Sequence, residues 1–290
     1  MRSLRAFDLL SVCFAFAICS VGSGLPAAPV GGFDPLVKGA RSSAKDAPLP
    51  INGNFNRTLL PAHRLALEWV NLESDENGLF ERESTARLAG EYAFARWFSL
   101  FGQVPYTRKM DSEQGVREHL DMVSLGARLG TRLGRSFYPA AALEVGLATG
   151  NEDRGIGHKR LGFLEPRIGL LWSPHRFDWF YLATMLRFNS QTNSRLRTTN
   201  PDEKFERAWI WEAEAGFYVD DAFAVFVEFQ RKSLTEPEER LINTTTVAPG
   251  LRFRPAPYFD LAVSVPLSVG SEKEFERGIL ARLTFYPGFW

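Results

Sequence analysis

The chain has 290 residues, 45% hydrophobic and 13% aromatic, with 34 basic and 34 acidic side chains. Zero net charge supplies none of the basic excess that a nucleic-acid partner requires, so no such partner is expected. A content of 24 Phe and 7 Trp beside a mean hydropathy of only -0.16 predicts apolar groups at alternate positions rather than in continuous runs.

The N-terminus reads as a signal peptide over residues 1–23. Arg2 and Arg5 form a basic start, Leu9 to Val21 is an apolar core, and small residues follow at Val21 to Gly24, the order of a secretory signal. The apolar run falls short of the roughly 20 residues that a membrane-spanning helix needs. Both cysteines, Cys13 and Cys19, lie inside it. The mature chain is therefore expected to hold no disulfide, thiol nucleophile or Cys-ligated zinc. Val12 and Ile18 precede the cysteines, and neither is the small residue that a lipid-anchor cleavage site prefers.

Residues 24–61 are rich in Pro, Gly, Ala and Asn and show no sustained period. They read as a periplasmic linker or a partial plug. From residue 62 onward apolar and polar residues alternate almost without pause, the pattern of β-strands, whose successive side chains point to opposite faces. Strands are predicted at 63–73, 82–95, 97–108, 119–133, 136–149, 161–173, 177–189, 206–219, 221–232, 243–255, 257–269 and 275–287. No long uninterrupted apolar segment follows the signal, so a helical inner-membrane protein is not expected.

The connections alternate in length. Those near Arg96, Gly134-Arg135, Ser173 to Arg176, Asp220-Asp221 and Pro255 to Pro257 are short. Those at Ser74 to Glu81, Lys109 to Arg117, Gly150 to Arg160, Ser190 to Phe205, Lys232 to Ile242 and Gly270 to Glu274 are mostly longer and charged. Short periplasmic turns against long outer loops mark an outer-membrane barrel, whereas a soluble sandwich has no reason for the asymmetry. The predicted fold class is all-β, a transmembrane antiparallel up-and-down barrel of about twelve strands filling residues 62–290.

The two faces carry opposite chemistry. Leu65, Leu67, Trp69, Leu125, Leu143, Ile168, Trp209, Trp211, Leu251 and Ile279 share the parity of the other apolar residues on their strands and are expected to meet lipid. The other parity carries charges of both signs. Arg87, Glu91, Arg128, Arg132, Glu144, Arg187, Glu212, Glu214, Glu228, Arg252, Arg254 and Arg282 are the candidate lumen-lining and constricting residues. Arg64, Glu68, Glu165, Arg167 and Asp260 share their side. In a sandwich core each ion would bear a desolvation penalty of several kcal/mol. In a wet lumen they stay solvated and pair across strands. The soluble-sheet alternative turns the same charges outward to water. The final stretch, Ile279 to Trp290, ends on an aromatic. That resembles the terminal strand of barrels handled by the outer-membrane assembly machinery, with Pro287-Gly288 as a departure.

FGQVPYT (Phe101 to Thr107), LDMVSLGARLGTRLG (Leu120 to Gly134) and AAALEVGLATGNED (Ala140 to Asp153) follow one another in an order that resembles outer-membrane transporters of the meta pathway of phenol degradation. The third stretch lacks that family's proline. PLPINGNF (Pro48 to Phe55) is similar to the entry of uncharacterised relatives. The resemblance covers about half of the chain. It implies a barrel with a transport role and supplies no catalytic residue.

The chemistry of catalysis is not expected. His63, His119, His158 and His175 have no metal-ligand spacing to one another. Barrel phospholipases, the nearest enzymatic rival, resemble a twelve-stranded barrel and place a Ser two residues from a His. Here those positions hold Leu65, Asp121, Arg160 and Phe177. Acids at Asp75-Glu76 and Glu236 to Glu239 read as solvated loops, with cation bridging to lipopolysaccharide as the alternative. The expected function is passive passage of a small, hydrophobic or aromatic solute through the cell outer membrane, without cofactor or metal. The expected partners are outer-membrane lipid, lipopolysaccharide and the assembly machinery. A non-transporting structural or surface-interaction barrel is the second reading and an outer-membrane enzyme the third.

Overall fold

The computed structural model describes residues 61–76, 79–95, 97–111, 115–120, 122–133, 136–147, 161–173, 179–193, 207–220, 222–235, 241–256, 258–270, 273 and 275–287. The signal assigned to residues 1–23 and the linker up to residue 60 lie outside them, as do His158 and His175.

Fourteen strand segments follow in chain order: β1 Arg64–Glu76, β2 Leu79–Ala95, β3 Phe98–Asp111, β4 Gly115–Leu120, β5 Val123–Gly130, β6 Phe137–Leu147, β7 Leu161–Trp172, β8 Phe180–Asn193, β9 Arg207–Tyr218, β10 Phe223–Thr235, β11 Leu241–Ala256, β12 Phe259–Ser264, β13 Leu267–Val269 and β14 Arg277–Phe285. Two pairs of segments are interrupted single strands. β4 and β5 both lie along β3, with a one-residue slip between their registers. β12 and β13 both lie along β11, parted at Val265-Pro266, where the proline has no N–H for the ladder. Counted this way, the sheet is a closed antiparallel barrel of twelve strands. β14 closes on β1 through nine register pairs, from Leu65 opposite Phe285 to Glu73 opposite Arg277. Closure leaves no unpaired edge, which a bilayer demands because lipid satisfies no backbone hydrogen bond.

The strands run further than the alternation suggests. Ser74 to Glu81 reads from sequence as a loop, yet the ladder continues through Ser74 opposite Glu81 to Glu76 opposite Leu79. Only residues 77 and 78 separate the two strands. The predicted loop is corrected to a strand extension, carried by the backbone ladder itself, and the polar groups just before it are satisfied across the strands. Asn71 accepts hydrogen bonds from Arg82 Nε and Ser84 Oγ, both at 2.8 Å, and Arg277 lies 3.2 Å from Glu73. The same holds on the next hairpin, where Tyr106 donates to Glu118 at 2.8 Å and Arg108 stands 3.4 Å from it. At the opposite end the β9–β10 turn is short. Asp220 Oδ1 accepts the N–H groups of Ala222 and Phe223 at 2.8 and 2.7 Å, the local bond that makes Asp a turn residue.

The outer wall is apolar and exposed: Leu67, Leu125, Leu129, Leu143, Ile168, Leu182, Leu251 and Ile279 among others. Aromatic rings gather toward both ends of the wall. Trp179 and Phe180 pack on Phe217 with centroids 5.8 and 5.2 Å apart, and Phe137 on Trp172 at 6.5 Å, near the short turns. Phe188 meets Trp209 at 4.6 Å, and Trp211 meets Phe229 at 5.2 Å, near the long connections. Two such belts match the two interfaces of a bilayer, where rings with one wet side settle.

The inner wall is packed by a repeated device. Phe101, Phe163, Tyr181 and Phe226 each face a glycine directly across the ladder: Gly126, Gly146, Gly216 and Gly250. Each ring lies over its glycine, where a Cβ would collide with it. Toward the short-turn end Tyr138, Leu171, Tyr181, Met185 and Tyr218 form a buried apolar cluster.

Candidate functional site in the barrel lumen

Strand parity alone carries the charges inward. Along β9 the buried positions are Ala208, Ile210, Glu212, Glu214, Gly216 and Tyr218, so one hydrogen-bonded register sets five side chains and a glycine on the bore. Repeated around the barrel, this assembles eight arginines and eight carboxylates into a belt. The arginines are Arg64, Arg87, Arg128, Arg167, Arg187, Arg252, Arg254 and Arg282. The carboxylates are Glu68, Glu91, Glu144, Glu165, Glu212, Glu214, Glu228 and Asp260. All are buried except Arg87, whose side chain is 20% exposed.

The belt is woven from shared ions. Glu91 takes Arg64 from one side, Arg128 from the other and the Ser99 hydroxyl as a third donor. Glu68 pairs with Arg87 and lies 3.8 Å from Arg282 across the β1–β14 seam. Glu144 receives Arg167, Ser124 and, at 2.7 Å, Gln103. Arg167 also donates to Glu165 at 2.6 Å, and Arg187 lies 3.2 Å from that carboxylate. Arg187 then pairs with Glu212, to which Gln230 donates at 3.0 Å. Asp260 accepts from Arg252 Nε at 2.8 Å and from Arg254 at 3.1 Å. Tyr181 donates its hydroxyl to Glu214. Buried ions persist only when paired and hydrogen-bonded, and each carboxylate named here has at least one such donor.

Eleven of the twelve residues singled out from sequence thus stand in the belt: Arg87, Glu91, Arg128, Glu144, Arg187, Glu212, Glu214, Glu228, Arg252, Arg254 and Arg282. Arg132 does not. It follows the end of β5 at the short-turn rim and is exposed, with its guanidinium 5.6 Å from the Tyr138 ring centroid. Sequence reasoning passed over the neutral partners Ser99, Gln103, Ser124, Tyr181 and Gln230. Each lies on the inward parity of its own strand, but the carboxylate that it contacts belongs to another strand. It also passed over Phe101, whose ring lies 4.7 Å beneath the Arg128 guanidinium.

Charge is unevenly spread around the bore. The sector from β14 through β1 and β2 to β5 holds four arginines, Arg282, Arg64, Arg87 and Arg128, against Glu68 and Glu91. The sector across the barrel, β8 to β10, holds Arg187 against Glu212, Glu214 and Glu228. Glu214 lies within electrostatic reach of Arg252, Asp260 and Arg282 on strands beyond its neighbours. The belt therefore sets a field transverse to the barrel axis. Among the described residues, no group of three or more His, Cys, Asp or Glu is placed to hold a metal ion.

A closed twelve-stranded sheet, apolar outside and ionic inside, has only one solvent pair that suits it: hydrocarbon without and water within. The fold is that of an outer-membrane β-barrel. It is similar to an outer membrane channel from Pseudomonas putida F1, with a TM-score of 0.63 at 12% identity over 81% of this chain and 98% of that one. It is similar also to the NanC porin, with a TM-score of 0.53 at 10% identity over 76% and 98% of the two chains. The β domain of the Bordetella autotransporter BrkA gives a TM-score of 0.53 at 11% identity over 78% and 99%. The chain matches no protein-family model and no curated protein. The likeness that stands is one of barrel architecture. Kinship with the meta-pathway transporters has no family match behind it.

Proposed function

We propose that the protein is a passive channel of the outer membrane, and that the lumenal belt is its constriction. One observation carries this reading: a belt of inward ionic side chains, most of them in ion pairs, inside a wall whose outside is apolar. A structural barrel gains no stability from so many buried ions, since replacing buried ion pairs by apolar groups is often neutral or stabilising. A solute path needs polar walls. The solute is small because the belt side chains fill much of the bore. The inward rings Tyr138, Tyr181 and Tyr218 are packed into a buried cluster and offer an aromatic solute no open face. A purely hydrophobic solute finds no continuous apolar track past the belt. The reading includes insertion by the outer-membrane assembly machinery through the last strand and no catalysis. Phospholipase and protease assays on refolded protein check the latter.

A second reading, a closed barrel of structural or surface role, is favoured by the depth of burial: Glu144, Glu212, Glu228 and Asp260 expose no surface. Planar-bilayer recording decides between the two. Discrete current steps, with swelling of liposomes in small neutral solutes, are expected. No steps and no swelling leave the closed barrel.

A further inference from the structure

The two charged poles of the belt differ in what they offer a visitor. On the arginine side a cavity of about 40 Å³ opens between Arg64, Glu68, Glu91, Arg128 and Arg282, with Phe101 in its wall. That is room for one small polar group. Arg64 is buried, and its Nη1 has no hydrogen-bond partner. On the carboxylate side Glu212 and Glu214 are buried, and Oε2 of each lacks a partner. The arginine wall therefore holds a spare cationic donor beside an open cavity, and the wall across the bore holds spare anionic acceptors, with Arg187 Nε there also lacking a hydrogen-bond partner. Satisfying both at once takes a ligand with an acceptor anion at one end and a donor cation at the other.

We propose that the solute class selected by this belt is the small zwitterion, carrying a carboxylate and an ammonium group on a short backbone. The inference rests on the channel reading and narrows its substrate. The carboxylate occupies the cavity beside Arg64, and the ammonium group faces Glu212 and Glu214. A free anion meets the three carboxylates of β9 and β10, and a free cation meets the four arginines around β1. Each therefore faces an opposing like charge in a low-dielectric bore. A zwitterion aligned with the transverse field meets an opposite charge at both ends.

The test is a swelling assay on liposomes holding the full-length protein, with four solutes of similar size: L-serine, L-lactate, ethanolamine and glycerol. L-Serine is expected to enter about fivefold faster than glycerol, the factor of one modest ion pair, with L-lactate and ethanolamine slower than L-serine. Arg64→Gln and Glu214→Gln should each pull the serine-to-glycerol ratio toward one. The first should do so with a gain for ethanolamine, the second with a gain for L-lactate. Heat-modifiable mobility on gels verifies that each variant is a folded barrel. Should Arg64→Gln not fold, Glu214→Gln and the wild-type solute series decide alone. Serine entering no faster than glycerol, or slower than either ion, overturns the zwitterion inference while the channel stands. Silence for all four solutes overturns the channel and the inference together.

Discussion

Tyr181 on β8 stands directly opposite Gly216 on β9 in the ladder, and its ring occupies the space that a Cβ at residue 216 would need. The missing side chain leaves room for the ring over residue 216, from which its hydroxyl reaches Glu214 two residues along β9. A small residue on one strand thus places an aromatic on the next, and the aromatic holds a belt carboxylate. Gly216→Ala is expected to lever Tyr181 into the bore, break its bond to Glu214 and cost about 1–3 kcal/mol through overpacking. A lower urea midpoint together with a smaller unit conductance would confirm this. A conductance equal to that of the parent would refute it.

Glu91 is the single carboxylate between Arg64 and Arg128. Glu91→Gln removes the charge and leaves two buried guanidinium groups facing each other. The expected loss is about 3–5 kcal/mol, the range for breaking one side of a buried ion pair, read as a fall in the denaturant midpoint of the refolded barrel. High salt should recover little of it, since buried ions are weakly screened.

The Lys109–Glu81 pair is the internal control. It too is a cross-strand ion pair, but its side chains are 39% and 41% exposed. Glu81→Gln should change stability by less than about 1 kcal/mol. A loss as large as that of Glu91→Gln would mean that burial is not what gives the belt its energetic weight.

Ile168 faces outward in the middle of β7 and is 64% exposed. Ile168→Arg should cost roughly 2–4 kcal/mol in a bilayer, the penalty of a charge on the lipid face near the midplane. Reversible urea unfolding in lipid vesicles measures it. An unchanged midpoint would place residue 168 away from hydrocarbon.

The alternation of Trp209 to Gln230 already separates the lipid face from the lumen, because a strand has only two sides and the charges share one of them. Every inward charge named from sequence sits on the inward parity. Loop ends were less legible. Ser74 to Glu81 carries the polar residues of a loop, yet its backbone continues the β1–β2 ladder to Glu76 opposite Leu79, beyond the bonds that Arg82 and Ser84 make to Asn71. Arg132 keeps the inward parity but lies past the last ladder pair of its strand, where parity no longer fixes direction. The neutral donors Gln103 and Ser124 were invisible as site residues because a single strand does not say which carboxylate will stand opposite.

Sequence by itself determined the period, the two faces and the number of crossings, since these depend only on the local geometry of an extended chain and on which side chains tolerate hydrocarbon. Tertiary structure alone decided the partners. Arg64 on β1 and Arg128 on β5 are separated around the wall by two intervening strands, and they share Glu91 because the sheet curves shut and turns their side chains toward a common axis. Curvature is a property of the closed ring, and no stretch of alternating residues contains it.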